Sequence, residues 1–393
     1  MRIGIIGAGL CGLATAAILA RAGHAVEILE RATHPRPLGA GLLLQPPGAA
    51  ILDMLDAVPP NGARVTRLDS RATSGAPLIQ LDYADLAPGL HGLGLTRPAI
   101  WSALLDAAIS AGARLAPGCP VETVAEDGAV TLPRGERRTY DLLIIAAGTH
   151  APFWTGRPGH AARPYSWGCL WTTLTLPPGW PRDVLIQRCL GTRHMAGVLP
   201  TGGDTAALYW SLRNDRVAAC RAAPVAAWRA DLARLWPEAA ALTAGLSHAD
   251  LEHAAYRDVR AEPPFAGRLV VIGDAAHGTS PQLGQGTTQA LRDALALAEA
   301  LATDGPLASR LGAYWSARRR RVGYYRFASR ALTPVFQSAV PGLGPLRDLL
   351  AGPAGRIPFI RRQALLTLAG LKDGLFGADP VERAAAPLPA PAG

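Results

Sequence analysis

Gly7, Gly9 and Gly12 occupy the three glycine positions of a GxGxxG turn, and Glu30 follows about 20 residues on. Those residue types at that spacing suit a grip on a dinucleotide. Gly7 permits a tight turn. Gly9 carries no Cβ, so the backbone can approach a pyrophosphate, and Gly12 lets the next helix pack close to the strand before it. Leu10 and Cys11 open that helix, whose first N–H groups are free to face an anion. Glu30 closes a second apolar run, where its carboxylate can accept hydrogen bonds from a ribose. Strand, glycine turn, helix, strand and acid together predict a nucleotide-binding βαβ unit at the N-terminus.

A second constellation lies near residue 273. The apolar run Leu269–Ile272 ends on Gly273-Asp274-Ala275-Ala276-His277, followed by a Pro281–Gly286 loop and an alanine/leucine helix. An acid ending a buried strand is costly unless paired or hydrogen-bonded, so Asp274 is expected to have a partner. Gly284-Gln285-Gly286 precedes the helix, whose N-terminal dipole would favour a negatively charged group in front of it. His277 reads as structural, because no orienting acid is visible at a nearby spacing. No Ser/His/Asp or Cys/His arrangement is readable, so no catalytic side chain is named, and no metal site is expected.

Three nucleotide-related segments (2–57, 96–149 and 268–303) are separated by stretches of another kind. Residues 64–95 and 163–215 alternate apolar and polar with Gly/Pro breaks, which predicts antiparallel strands and a sheet domain inserted into the first. Trp167, Trp171, Trp180, Tyr209 and Trp210 concentrate there, as core or as a pocket for a planar substrate. Residues 309–371 read as helical, broken at Pro334, Pro341, Pro345, Pro353 and Pro358, and the Ala/Pro-rich tail from Ala384 reads as disordered.

At 393 residues, 49% hydrophobic and 18% charged, the chain has the make-up of a globular protein with ample core. Its +9 charge is almost wholly arginine, since Lys372 is the single lysine. Arg318–Arg321 form one cluster, read as a solvated helix face, with anionic lipid or a cofactor phosphate as alternatives. No nucleic-acid module is visible. Cys11, Cys119, Cys169, Cys189 and Cys220 are odd in number and lack metal spacing, which points to a reducing, cytoplasmic compartment. The fingerprint starts at residue 2, so no signal peptide is expected, and no run reaches the ~18 apolar residues of a membrane span.

Gly273–His277, Pro281–Gly286 and Arg292-Asp293-Ala294, with the N-terminal fingerprint and Arg97, closely resemble the flavoprotein aromatic hydroxylases (the para-hydroxybenzoate hydroxylase-like, group A monooxygenases). The resemblance spans residues 2–303. It implies an α/β fold: a Rossmann-like FAD-binding domain, an inserted mostly antiparallel substrate domain and a C-terminal helical region. The implied division gives residues 1–70, 96–160 and 263–305 to FAD, and 71–95 and 161–262 to the substrate. Residues 306–383 are C-terminal helices, and 384–393 are the tail.

FAD contacts are implied for Gly7, Gly9, Leu10, Cys11, Gly12, Glu30 and Arg31, then Gly41, Leu42, Arg97 and Gly148. Further contacts are implied for Gly273 and Asp274, and for Pro281, Gly284, Gln285, Gly286, Thr287 and Thr288. In the family, the Asp274 position meets the ribityl chain, and Arg97 lies near the phosphates or ribityl. Two departures stand out. Ala147 replaces the acid of the family's Asp-Gly pair, which bears on NAD(P)H handling, with His150 a substitute phosphate contact. Thr288 and Arg292 stand where an Asn and an acid are usual.

The resemblance implies a monooxygenase using NAD(P)H and O2, through a flavin C4a-hydroperoxide, on a small apolar aromatic or quinone-like metabolite. Trp167-Gly168-Cys169-Leu170-Trp171 is not the halogenase signature, which disfavours halogenation. Two other readings keep FAD: a reductase or oxidase without oxygen insertion, favoured by Ala147, and a non-catalytic flavoprotein. A monomer or homodimer is expected, with the apolar C-terminus capping the site or touching a lipid surface.

Overall fold

The computed structural model describes residues 1–36, 39 and 41–381. The expected Ala/Pro tail lies outside them. The helices are α1 (Leu10–Arg21), α2 (Pro46–Met54), α3 (Arg97–Ser110), α4 (Val217–Ala222), α5 (Val225–Leu235), α6 (Pro237–Ala241), α7 (Asp274–His277), α8 (Gly286–Leu301), α9 (Leu307–Phe336), α10 (Leu343–Arg356) and α11 (Pro358–Leu368).

The short runs Arg2–Ile6, Ala25–Leu29 and Leu142–Ile145 are buried on both faces because helices or loops cover both sides of a parallel sheet, and the one buried acid among them, Glu27, is held by Tyr140 and Arg138. They form the centre of a six-stranded sheet ordered 265–266, 269–271, 142–145, 2–6, 25–29, 114–116. Every pairing in it is parallel except 265–266 with 269–271. Leu13, Ile18, Leu104, Leu291 and Leu297 from α1, α3 and α8 fill one face. Tyr140, Leu143, Trp154 and Ala275 belong to the core on the other.

A seven-stranded sheet runs 252–261, 160–175, 205–213, 194–202, 184–190, 67–72, 77–82. It is antiparallel apart from the pair 184–190 with 67–72. Period-two alternation splits its side chains. Leu170, Leu174, Val198, Leu208 and Trp210 pack with Trp228 and Leu232 of α5, while Cys169, Trp171, Met195 and Tyr209 take the opposite face. The tryptophan cluster therefore divides: Trp167 and Trp210 are buried, Trp180 packs half-buried against the α5 core, and Trp171 is half-buried on the opposite face.

Several expectations need correction. Strand Arg67–Ala72 enters the large sheet inside the segment assigned to FAD (1–70), and Gly92–Thr96 lies outside that sheet, pairing with Gly41–Leu44 and Ala63–Val65. Its buried pattern, where 67–72 alternates, marks the difference. Pro334, Pro345 and Pro353 do not break α9 or α10: Pro345 sits in the first turn of α10, where its missing N–H costs no intrahelical bond, and Pro334 and Pro353 each lie within the last four residues of their helices. The 306–383 region is not purely helical: Lys372–Asp373 and Gly377–Ala378 form a hairpin. The arginine run is not one solvated face either. Arg318 and Arg321, one turn apart, are buried, and Arg319 and Arg320 are exposed.

Candidate functional site

At the first glycine turn, the Gly7 N–H donates to Leu29 O (2.9 Å), tying the turn to the second strand. A Cβ on Gly12 would stand 2.0 Å from the Gly7 carbonyl oxygen, so only glycine allows α1 to approach this closely. A Cβ on Gly9 would meet nothing within 4 Å. The first intrahelical bond is Leu13 N–H to Gly9 O (2.9 Å), and no side chain caps α1. The N–H groups of Leu10, Cys11 and Gly12 thus open onto the space beside Gly9. Glu30 is held from behind: Oε2 accepts from Ala8 N–H and Oε1 from Ala32 N–H, both at 2.9 Å. Each oxygen keeps a lone pair for a hydroxyl. Arg31 is exposed beside it.

Gly273, at φ 60°, turns the chain out of the sheet at α7. The expectation of a buried Asp274 is corrected: its side chain is exposed, and Oδ1 lies 3.6 Å from where a Cβ on Gly286 would stand. It faces the uncapped N-terminus of α8. The buried acid is Asp293, two turns into α8 and fully inaccessible. Its Oδ2 accepts from Gly273 N–H (2.8 Å) and lies 2.5 Å from His277 Nε2, while Oδ1 accepts from Arg318 Nε (2.7 Å). Burial works against ionisation, but His277 and Arg318 outweigh it and hold this carboxyl well below the usual range. His277 does have an orienting acid, which lies 16 residues on and one helix away.

The Pro281–Gly286 loop is anchored at both ends. Ser280 Oγ hydrogen-bonds Ser329 (2.9 Å) and Thr333 (2.7 Å) of α9. Gln285 Nε2 donates to Leu368 O of α11 (2.7 Å), and its Oε1 accepts from Gln289 (3.2 Å). Pro281, Gly284 and Gly286 are exposed and Thr287 half-buried, whereas the Gln285 and Thr288 side chains are buried. These last two can therefore reach a cofactor through backbone N–H, not side chain. Thr288 Oγ1 accepts from Gln45 N–H (3.2 Å), joining the loop to strand Gly41–Leu44.

Gln45 was not singled out in sequence, nor was Tyr83. The Tyr83 hydroxyl donates to Gln45 Oε1 (2.5 Å), fixing the amide so that Nε2 points away. That Nε2 is buried without a partner among the described residues, 3.9 Å from a Cβ position on Gly284. Gly41 lies against Thr201 and Ala207 of the large sheet. Leu42 is buried in the same strand, and Arg97, opening α3, packs over Gly39. Ala147 backs onto the Gly7 turn, with its Cα 3.1 Å from a Cβ position there, and Gly148 follows. Thr149 Oγ1 meets His150 Nδ1 at 3.2 Å. Among the described residues no group of His, Cys, Asp and Glu is arranged to hold a metal.

On the sheet face away from α5, Trp171 and Tyr209 stack obliquely with centroids 5.3 Å apart. Gln187 donates to the Tyr209 hydroxyl, and the Tyr256 hydroxyl donates to Cys169 Sγ. Burial pushes the Cys169 thiol and both phenols far above their ordinary values, so none is charged near neutrality. The cation Cys169 senses is Arg97.

Residues 163–323 match the model of the FAD binding domain family, and residues 5–37 match that of the NAD(P)-binding Rossmann-like domain. The chain is 27% identical over 373 residues to the 2-heptyl-3-hydroxy-4(1H)-quinolone synthase of Mycobacteroides abscessus, covering 90% of this chain and 94% of that one. It is 25% identical over 362 residues to the 3-amino-4-hydroxybenzoate 2-monooxygenase of Streptomyces cremeus (86% and 88%). Among solved structures, a 2-methyl-3-hydroxypyridine-5-carboxylic acid oxygenase superposes with a TM-score of 0.78 at 19% identity (97% and 98% covered). HpxO of Klebsiella pneumoniae, complexed with FAD, gives 0.79 at 23% (94% and 99%). Both share the fold.

Two outcomes test this geometry. Gly9→Ala keeps thermal stability within ~0.5 kcal/mol of the parent, because its Cβ meets open space, but purifies with little flavin. Gly12→Ala loses flavin and about 2 kcal/mol of stability through overpacking; if both variants stay yellow, the turn does not hold the cofactor. Asp293→Asn, which leaves Arg318 buried without its counter-charge, costs ~3 kcal/mol at neutral pH by denaturant titration. Because folding depresses this carboxyl's pKa, the gap is full above about pH 4, the ordinary aspartate value, and closes as pH falls below it toward the folded value.

Proposed function

Because the chain belongs to the FAD-dependent aromatic hydroxylases, the group A flavoprotein monooxygenases, we propose that it inserts one oxygen atom into a small, uncharged, apolar aromatic or quinone-like metabolite bound against the Trp171–Tyr209 face. It is an oxidoreductase with FAD as cofactor and NAD(P)H as electron donor. When bound, FAD supplies the transfer of electrons from NAD(P)H to O2 and the delivery of one oxygen to the substrate.

The rest is the work of this chain's own residues. Leu10, Cys11 and Gly12 N–H groups, beside the open space at Gly9, hold the pyrophosphate, and Glu30 accepts from the ribose. Asp274, with no protein partner among the described residues, accepts from a ribityl hydroxyl. The N-terminus of α8, at Gly286, Thr287 and Thr288, presents free N–H groups and a positive dipole end to negative charge on the ring. Gln45 Nε2, aimed by Tyr83, is a further donor beside Gly284. The remaining contacts with FAD fall to Gly41, Leu42, Arg97 and Gly148. The division into three FAD-binding segments and an inserted substrate region stays our reading of how these parts belong together.

The observation that carries the substrate class is the aromatic sheet face, flanked by Glu252, which lies opposite Trp171 and accepts from Gly39 N–H (2.8 Å), and by Arg97 near Cys169. Cys169, Tyr209 and Tyr256 stay protonated, Gln187 is neutral, and Trp171 offers a planar apolar wall. Such a wall stacks an aromatic and excludes water, and neither the Cys169 thiol nor the two phenols is poised to remove a proton near neutrality. The position oxygenated is then one the substrate itself makes electron-rich. The relatives named for a quinolone synthase and a hydroxybenzoate monooxygenase support an aromatic substrate. Five unpaired cysteines support a cytoplasmic location, and no helix of the described residues is long and apolar enough to cross a membrane. A monomer or homodimer remains our reading of its assembly.

Ala147 favours a second reading, reduction or oxidation without oxygen insertion. The two separate in one experiment. Anaerobic mixing with NADPH or NADH is followed by flavin bleaching, with 4-quinolones, naphthoquinones, phenols and a benzoate as candidates. A neutral aromatic is expected to accelerate bleaching about tenfold or more, a barrier change of ~1.4 kcal/mol, and to gain one atom from isotopically labelled O2. Carboxylates are expected to have no effect. Bleaching with O2 recovered wholly as peroxide, and no oxygenated product, selects the second reading.

A further inference from the structure

Among the described residues, the large apolar side chains left exposed concentrate between Phe327 and Phe376. Leu346, Leu349 and Leu350 of α10, at i, i+3 and i+4, form a stripe turned to solvent, and Leu349 is 71% exposed. Phe359 (70%) and Ile360 continue it at the start of α11, and Phe376 (95%) projects from the hairpin turn. Lys372 Nζ donates both to Gln363 Oε1 of α11 (2.8 Å) and to Leu375 O (2.7 Å), so the hairpin tip and α11 sit side by side.

These elements already have an inner face. α10 packs on the Pro77–Asp82 strand, with Gly352 against Pro77. The buried Arg347 reaches Val335 O (3.1 Å) and lies over the Phe336 ring. Leu365, Leu366 and Leu368 of α11 are core. The outward stripe is therefore additional to what folding needs, and contiguous apolar exposure of this kind marks a contact surface.

The charge around the stripe selects the partner. Arg356 and Arg362 are exposed with no carboxylate partner among the described residues, and Arg320 flanks the hairpin at Gly374 and Gly377. Asp348 holds Arg347 and Asp85 holds Arg361, so among the described residues Asp373 of the hairpin is the acid on this face without an ion pair, against Arg320, Arg356 and Arg362. In a two-fold pairing of this face with a second copy, the unpaired arginines would meet each other. An anionic lipid surface neutralises them while its acyl boundary takes the apolar tips.

We propose that the outer face of α10, α11 and the 372–378 hairpin seats the protein on an anionic bilayer surface, with Leu349, Phe359 and Phe376 inserted and Arg356 and Arg362 at the headgroups. The seat lies directly behind the active site, because α11 ends at the Thr367 and Leu368 carbonyls that hold Gln285. An apolar substrate dissolved in the membrane would thus be close to the site.

The test is co-sedimentation of the flavin-loaded protein with vesicles of phosphatidylcholine alone or mixed with phosphatidylglycerol, at low and high salt. Binding is expected to the anionic vesicles, weakened by salt. Leu349→Ser/Phe359→Ser/Phe376→Ser should lower binding at least tenfold while keeping its flavin and sedimenting as the parent does. Arg356→Gln and Arg362→Gln should each cost about fivefold, the factor corresponding to ~1 kcal/mol per arginine at such a surface. Equal, salt-insensitive binding to neutral vesicles overturns the proposal. So does a parent that ignores vesicles, or one that is a dimer which the triple variant dissociates. Binding is read without turnover, so either failure leaves the monooxygenase reading where it stands.

Discussion

The site depends on one buried carboxylate. Asp293 sits at the meeting point of three pieces of chain: the end of strand 269–271 through the Gly273 N–H, α7 through His277, and α9 through Arg318. An ionised acid this deep is unfavourable unless it is paired and hydrogen-bonded, and here three donors, two of them from the basic side chains His277 and Arg318, converge on its two oxygens. With only part of the network in place, a buried charge would be left unpaired. The network therefore discriminates sharply against any displacement of Gly273, and Gly273 aims Asp274 at the front of α8.

From that fixed point the loop follows. α8 carries Asp293 on its inner side and offers Gly286, Thr287 and Thr288 N–H groups at its outer end. Ser280 locks the loop's start to α9, and Gln285 locks its end to α11. The polar side chains inside the loop thus hold it in place, and the exposed backbone is left to meet a cofactor. Facing it across strand Gly41–Leu44, the large sheet contributes aromatic and thiol groups that burial keeps neutral. Arg97 and Glu252 stand at the margin of that wall, and the groups between them are neutral.

This division explains what could be read in sequence. The glycine turn and Glu30 were legible because their contacts lie within about 30 residues of one βαβ unit, and the alternation of 163–215 betrayed its sheet. Asp274 was misread because the apolar run to Ile272 suggested that burial continues, whereas the positive φ of Gly273 turns the next residue outward. Asp293 had a signal: it falls on the stripe of buried Ala290, Ala294 and Leu297, where an acid needs a partner. The partner's identity was not legible, since Arg318 lies in another helix. The same holds for Gln45 and Tyr83, joined across 38 residues with no shared periodicity.

The arginine run acquires its meaning from the same helix geometry. Arg318 and Arg321 lie one turn apart on the buried side of α9. The first holds Asp293, and the second reaches Gly370 O, Lys372 O and Asp379 of the C-terminal segment. Arg292, which stands where an acid is usual, adds a third guanidinium to this pocket, and its Nη2 also donates to Asp379 (2.7 Å). Burial, with Arg321 nearby, lowers Arg292 to about 10, and Asp379 opposes that shift. An acid at 292 would have faced Arg321 directly; an arginine there needs a carboxylate from elsewhere, and the hairpin's end delivers it. The unusual residue at 292 and the ordered C-terminal segment are thus two halves of one charge balance, built on α8 next to the acid that fixes the site and on α9 one turn from the arginine that holds it.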